Sequence, residues 1–200
     1  KRYISKDINR MWTPDNIKSI LSKPAEARKN ESKEIYDLLN IIHDQIKQVN
    51  PSKIYLLDIH TTSSDGIFCI EGGEEESREI ALQIQAPLVT GLMQGLSGTT
   101  LHYFDYEYLG IPSVTLAFEG GHHDDPLSVN RCMAAVFQFL RATKVINQQA
   151  MIGTYDYILN FNNLDMPEIV QVKYRHHVED ATEWKMIPGF KNFDTIYEGQ

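Results

Sequence analysis

The chain has 200 residues and a formal net charge of −8, from 19 Lys+Arg against 27 Asp+Glu. With 42% hydrophobic and 23% charged residues it has enough apolar material for a sizeable core, which excludes a disordered chain. Its longest apolar runs, IYLLDI and SVTLAF, are far shorter than the ~20 residues of a membrane span, and no Lys/Arg block suits it to nucleic acid.

Residues 1–12 are polar and without period, and no apolar stretch there resembles a secretory signal. Residues 13–29 carry Pro14 and Pro24 and read as a loop with at most a helical turn. Asn30 or Ser32 opens a helix on which Ile35, Leu38, Leu39, Ile42, Ile46 and Val49 recur at three- and four-residue steps, and Asn50-Pro51 stops it. Residues 53–60 form a nearly continuous apolar run, the pattern of a buried central strand. A polar loop (61–66), a short strand (67–71) and a helix (74–85) follow.

Residues 91–108 are rich in Gly, Thr and Tyr and lack a period; long loops of this kind tend to be functional. Residues 113–119 form a second buried strand, ended by Gly120-Gly121. Val129, Met133, Val136, Phe137 and Leu140 mark a further helix. From residue 153 the texture turns β-rich, over 155–161 and 168–176, which places a domain boundary near residue 150. Alternating strands and helices before that point predict an α/β fold, a doubly wound sheet with helices on both faces, followed by part of a β-rich domain over 151–200. Cys69 and Cys132 lie in apolar surroundings, as reduced thiols of a cytoplasmic protein do.

Three groups of residues carry chemistry. Asp58 and His60 are two apart on a strand and share a face, so a carboxylate can orient an imidazole placed to ligate a metal. Taken alone, such a pair more often makes a local hydrogen bond at a sheet edge. Glu119 closes an apolar strand and is followed by two glycines, a setting for a general base, although a solvated strand-end Glu has the same pattern. Arg2, Asn9 and Arg10 can hold a carboxylate in an otherwise acidic chain, or form a solvated basic terminus. His60 and Glu119 both end strands, where ligands of open α/β sheets bind. His122 and His123 follow the glycines as rim residues or as plain loop, and His43 lies on a helix as a surface residue.

The order Arg2, Asp7-Ile8-Asn9-Arg10, Asp58-Ile59-His60-Thr61-Thr62 and Glu119-Gly120-Gly121 resembles the aspartoacylase/succinylglutamate desuccinylase family, a branch of the zinc carboxypeptidase superfamily. The resemblance covers roughly residues 1–145, and it implies a mixed, zinc-carboxypeptidase-like α/β catalytic domain over 1–150 that lacks its N-terminal part. The segment FKNFDTIYEGQ then looks like the start of the family's β-rich C-terminal domain. The resemblance implies a zinc-dependent deacylase that cleaves the amide of a small anionic N-acyl amino acid. By that likeness His60 is a zinc ligand, Glu119 the base that takes a proton from the activated water, and Arg2 the group that polarises the scissile carbonyl. Asn9 and Arg10 then hold the substrate carboxylate, and Tyr103 or Tyr106 meets the substrate. The other zinc ligands, an HxxE pair, are expected upstream of Lys1; the string His176-His177-Val178-Glu179 lies in the wrong order to supply them. A metallocarboxypeptidase and a non-catalytic carboxylate-binding relative are the alternatives, and a homo-oligomer is compatible with all three.

Overall fold

The longest helix forms because its apolar stripe has a partner. In a computed structural model of the chain, α1 (Pro14–Ser22) packs on α2 (Glu31–Val49). Ile17 and Ile20 of α1 meet Ile35 and Leu39 of α2 in one apolar cluster with Trp12, Tyr103 and Phe104. Ile35 and Leu39 are fully buried, and truncating either to Ala removes about 2–5 kcal/mol of packing. Asn50 closes α2 in the left-handed region at φ 48°, its N–H donating to the Ile46 carbonyl. Residues 13–29 are more ordered than a loop. Thr13 caps α1 by accepting from the Asn16 N–H, and Pro14 sits in the first helical turn, where its missing N–H costs nothing.

The structure describes residues 3–150, 153, 155–162, 166–179, 185 and 187–199, without the side chains of 106, 107, 161 and 162. The chain divides into two compact units. Unit 1 is Lys1–Leu56 with Gly95–Thr115, and unit 2 is Leu57–Gln94 with Leu116–Gln200.

Five strands form one mixed sheet in the order β1 (Ile54–Thr62), β4 (Ser113–His122), β2 (Phe68–Glu71), β3 (Leu88–Thr90), β5 (Ile169–Gln171). β2 runs antiparallel to β4, with Phe68 opposite Glu119 and Ile70 opposite Ala117. β2 and β3 are parallel, as are β3 and β5. α3 (Glu75–Gln83) packs on β2, β3 and α6 (Ser128–Ala142), and α6 packs on α7 (Asp156–Asn162). The expected α/β class with a mixed sheet is therefore present.

Three local expectations are corrected. β1 is an edge strand among the described residues; its run is half-buried and Ile59 is 40% exposed. β4 is an interior strand between β1 and β2 and is buried from Ser113 to Phe118, but it does not end at the glycines and continues to His122. Residues 155–161, read as strand, lie largely in α7. Leu159 of α7 is fully buried, and Asp156 at its start accepts from Gln138 and pairs with Arg141, both on α6. A seven-residue apolar pattern does not separate the two periods, and tertiary packing decides.

Candidate functional site

In unit 2, the period of β1 does what the sequence suggests. Asp58 Oδ2 lies 2.9 Å from His60 Nε2, and the two side chains are 19% and 26% exposed. The carboxylate fixes one ring nitrogen and so directs the other, the way metal-ligating histidines are held. Beside it runs β4, where Glu119 is half-buried and its Oε2 is shut off from solvent.

The two glycines after Glu119 have separate reasons. A Cβ on Gly120 would stand 2.6 Å from Cys132 Sγ, 3.2 Å from the Ser128 carbonyl oxygen and 3.6 Å from the His60 carbonyl oxygen. Gly120 is thus the point where β1, β4 and α6 approach too closely for a side chain. Gly121 has φ +97°, and a Cβ there would meet Arg131 Nη1 at 2.8 Å. The motif is a strand end pressed against the first turns of α6.

Cys132 sits at that contact and donates to the His60 carbonyl over 3.9 Å. Burial pushes its thiol up, and the negative charge of Glu119 pushes it further. Cys132 therefore stays a neutral thiol, with the Glu119 carboxylate within electrostatic reach. Past the glycines, the His123 N–H donates to the Thr62 carbonyl and the His123 ring bonds Thr61 Oγ1 at 2.8 Å. His122 Nδ1 accepts from the Asp124 N–H, and the two rings lie 6.1 Å apart. Both imidazoles belong to the rim of this strand end.

Unit 1 holds the other candidates. Residues Ile8–Arg10 form one 3₁₀ turn, capped by Asp7, whose carboxylate accepts from the Asn9 N–H at 3.0 Å. Asn9 is half-buried and its Oδ1 accepts from the Thr100 N–H at 3.3 Å. Arg10 is exposed, and its guanidinium reaches its neighbour's carbonyl, Asn9 O, at 2.6 Å. Gly98 (φ +74°) makes this turn possible, since a Cβ there would meet the Arg10 carbonyl oxygen at 2.6 Å. Tyr103, last residue of α4 (Thr100–Tyr103), is 8% exposed and lies in the aromatic core, its ring 5.6 Å from Trp12 and stacked on Tyr108 at 6.0 Å. Burial raises its phenol pKa. Tyr106 lies in α5 (Tyr106–Leu109), with its side chain outside the described residues, and Arg2 lies outside them altogether.

The string His176–Glu179 lies in extended chain where His176, His177 and Glu179 are exposed, and His43 is exposed on α2. Among the described residues no group of three or more His, Cys, Asp or Glu is placed to hold a metal ion. The donor chemistry that is present, one imidazole steered by a carboxylate, fits one ligand of a catalytic zinc site, which takes three from the protein. Sequence reading passed over Asp125 and Arg131, which brace the glycine pair near the end of β4. Their six-residue separation spans a turn and a helix start, so no periodic pattern marks it.

The sheet, its mixed order and the helices on it define the fold class; comparison with known proteins supplies a particular counterpart. No family model and no curated protein sequence matches the chain. Its fold is similar to the crystal structure of the succinylglutamate desuccinylase from Chromobacterium violaceum, with a TM-score of 0.54 and 18% identity. The match covers 99% of this chain and 58% of that one, so the chain spans a little over half the length of that enzyme. Among the described residues no helix is long and apolar enough to cross a membrane.

Proposed function

We propose that this chain is part of a zinc-dependent hydrolase that cleaves the amide bond of a small N-acyl amino acid. The observation that carries this reading is the Asp58–His60 pair on β1, next to the strand end that carries Glu119, within a fold shared with a desuccinylase. His60 would be one of the residues that hold zinc, with Asp58 setting its ring. Zinc, when bound, supplies a Lewis acid that lowers the pKa of water and polarises a carbonyl.

The chain's own residues do the rest. Glu119 accepts a proton from the attacking water and delivers it to the departing amine nitrogen. A carboxylate walled by apolar strand suits this task, because a dry setting brings its basicity toward that of the proton donor. Arg2 would steady the negative charge that builds on the scissile carbonyl oxygen. Asn9 and Arg10 would hold the substrate's carboxylate, and an exposed guanidinium is suited to a bidentate grip. Attack of water breaks the C–N bond and leaves a carboxylate and an amine.

The test is metal analysis of the whole protein, together with hydrolysis of a panel of N-succinyl, N-acetyl and other N-acyl amino acids. About one zinc per chain and chelator-sensitive release of a free amine support the reading. A metal-free protein, or one inert toward every acyl amino acid while cutting C-terminal residues from peptides, would overturn it.

A further inference from the structure

Arg131 lies in the first turn of α6 and holds the glycine pair that follows Glu119 near the end of β4. Its Nη1 donates to Asp125 Oδ2 at 2.6 Å and to the Gly120 carbonyl at 3.4 Å. The same nitrogen occupies the space that a Gly121 side chain would fill. The side chain is 11% exposed, and Asp125 is itself fixed by the Leu127 N–H at 2.9 Å. The helix thus sends three groups to one peptide: the Ser128 carbonyl, the Arg131 guanidinium and the Cys132 thiol all face Gly120, and the thiol also reaches the His60 carbonyl.

One more feature argues that this arginine serves placement rather than stability. Its Nε is buried and has no hydrogen-bond partner among the described residues. A buried donor left in that state is destabilising. An apolar side chain of the same length would fill the space without that penalty, but it could not grip the Gly120 carbonyl.

We propose that Arg131, braced by Asp125, is a positioning residue that fixes the Glu119–Gly121 strand end and with it the carboxylate of Glu119. The role of Glu119 as base rests on the function proposed above; the bracing of the strand end does not. Arg131 touches the peptide after Glu119 and acts through it.

Two measurements on the full protein separate these parts. The first needs no substrate. Amide hydrogen exchange at Gly120–His122 should rise at least ~10-fold in Arg131→Met, with protection of β2 and β3 unchanged. Asp125→Asn should give the same local pattern more weakly. Unchanged exchange at those amides in both variants overturns the proposal, whatever the enzyme's substrate proves to be.

The second is a kinetic cycle on the N-acyl amino acid that the panel identifies. Arg131→Met should lower kcat about 10–30-fold with KM within about threefold, and Arg131→Lys should recover part of the loss. In the Arg131→Met background, Glu119→Gln should cost several-fold less than it does alone, because the two changes remove one function. Losses that multiply, or a fall that tracks KM or folded fraction, would reduce Arg131 to a structural residue. Normal turnover in Glu119→Gln alone would remove the base assignment and leave the exchange result to stand on its own.

Discussion

His60 and Glu119 are held by strands, whereas Asn9 and Arg10 are held by a single 3₁₀ turn, and the two arrangements differ in how many independent contacts fix them. Around Gly120, the ends of β1 and β4 and the first turns of α6 converge, and three groups of the helix press on the Gly120 and His60 backbone. Around Arg10, one cap, one side-chain bond to Thr100 and the closeness of Gly98 do the work. Groups that must hold a reacting atom within a fraction of an ångström belong on the first kind of support, and a clamp for a charged end of a substrate can use the second. In the proposed reaction the strand end is therefore expected to govern kcat and the 3₁₀ turn KM.

The largest expected effect tests the strand-end side of that statement. Glu119→Gln should lower kcat at least ~10²-fold with bound zinc retained, since the amide keeps shape but takes no proton. Metal content and single-turnover rates check it, and a loss of zinc equal to the loss of rate would move Glu119 from base to ligand.

The two glycines give a stability comparison of similar size. Gly98→Ala sets a Cβ 2.6 Å from backbone, at a φ of +74° that side chains avoid, so about 2 kcal/mol or more of stability should go and no neighbouring truncation should restore it. Gly120→Ala meets the Cys132 sulfur, a side chain. Its cost of about 1–3 kcal/mol should fall by half or more when Cys132 is also made Ala. Denaturant melts of these variants, of Cys132→Ala alone and of Gly98→Ala with Arg10→Ala decide the matter; rescue at Gly98, or none at Gly120, would reverse the account of which contact is backbone-limited.

What could be read in advance follows the same division. α2 shows its period and β4 its continuous apolar run, and Asp58 with His60 follows from the two-residue repeat of a strand. α6 is marked in the sequence by Val129, Met133, Val136, Phe137 and Leu140, yet Val129 and Met133 are exposed. The face it buries is Ala134, Ala135, Gln138, Phe139 and Arg141, whose small and polar members carry no apolar signal. α1 was harder, since its buried face shows only Ile17 and Ile20, although Thr13 and Pro14 are ordinary start signals. β3 has three residues, too few for any pattern, and is a strand because β2 and β5 flank it. The order of motifs picked out Glu119-Gly120-Gly121, but not why two glycines are needed there. That reason lies in a helix whose nearest contributing residue is eight positions further on, and only the packed structure brings it to Gly120.

A smaller effect is expected at Arg10. Arg10→Lys keeps the charge but loses the planar fork, so KM for an acyl amino acid should rise about 5–10-fold with kcat within about twofold. A fall in kcat with KM unchanged would mean that the 3₁₀ turn positions reacting groups after all.

The smallest effect concerns how the turn is anchored at its amino-terminal side. Glu31, at the start of α2, accepts from the Ser5 hydroxyl and from the backbone N–H groups of Ile4 and Ser5, and these bonds lower its pKa from 4.5 to about 2, the Ser5 hydroxyl contributing most. A carboxylate with a depressed folded-state pKa contributes stability that is fully present above its unfolded value, and that stability is lost as pH falls through the folded one. The contribution should therefore be whole above about pH 5 and should fade between 4.5 and about 2. Glu31→Gln, which cannot carry the charge, should be less stable than the parent at neutral pH, and the gap should close across that window. It should also free residues 4–5 and raise KM slightly with no change in kcat, because the released segment leads into the Asn9–Arg10 turn and not into the strands. A stability gap that stays constant down to about pH 2 would show that shape, not charge, ties Ser5 to the helix. A change in kcat would overturn the assignment of the turn to substrate binding alone.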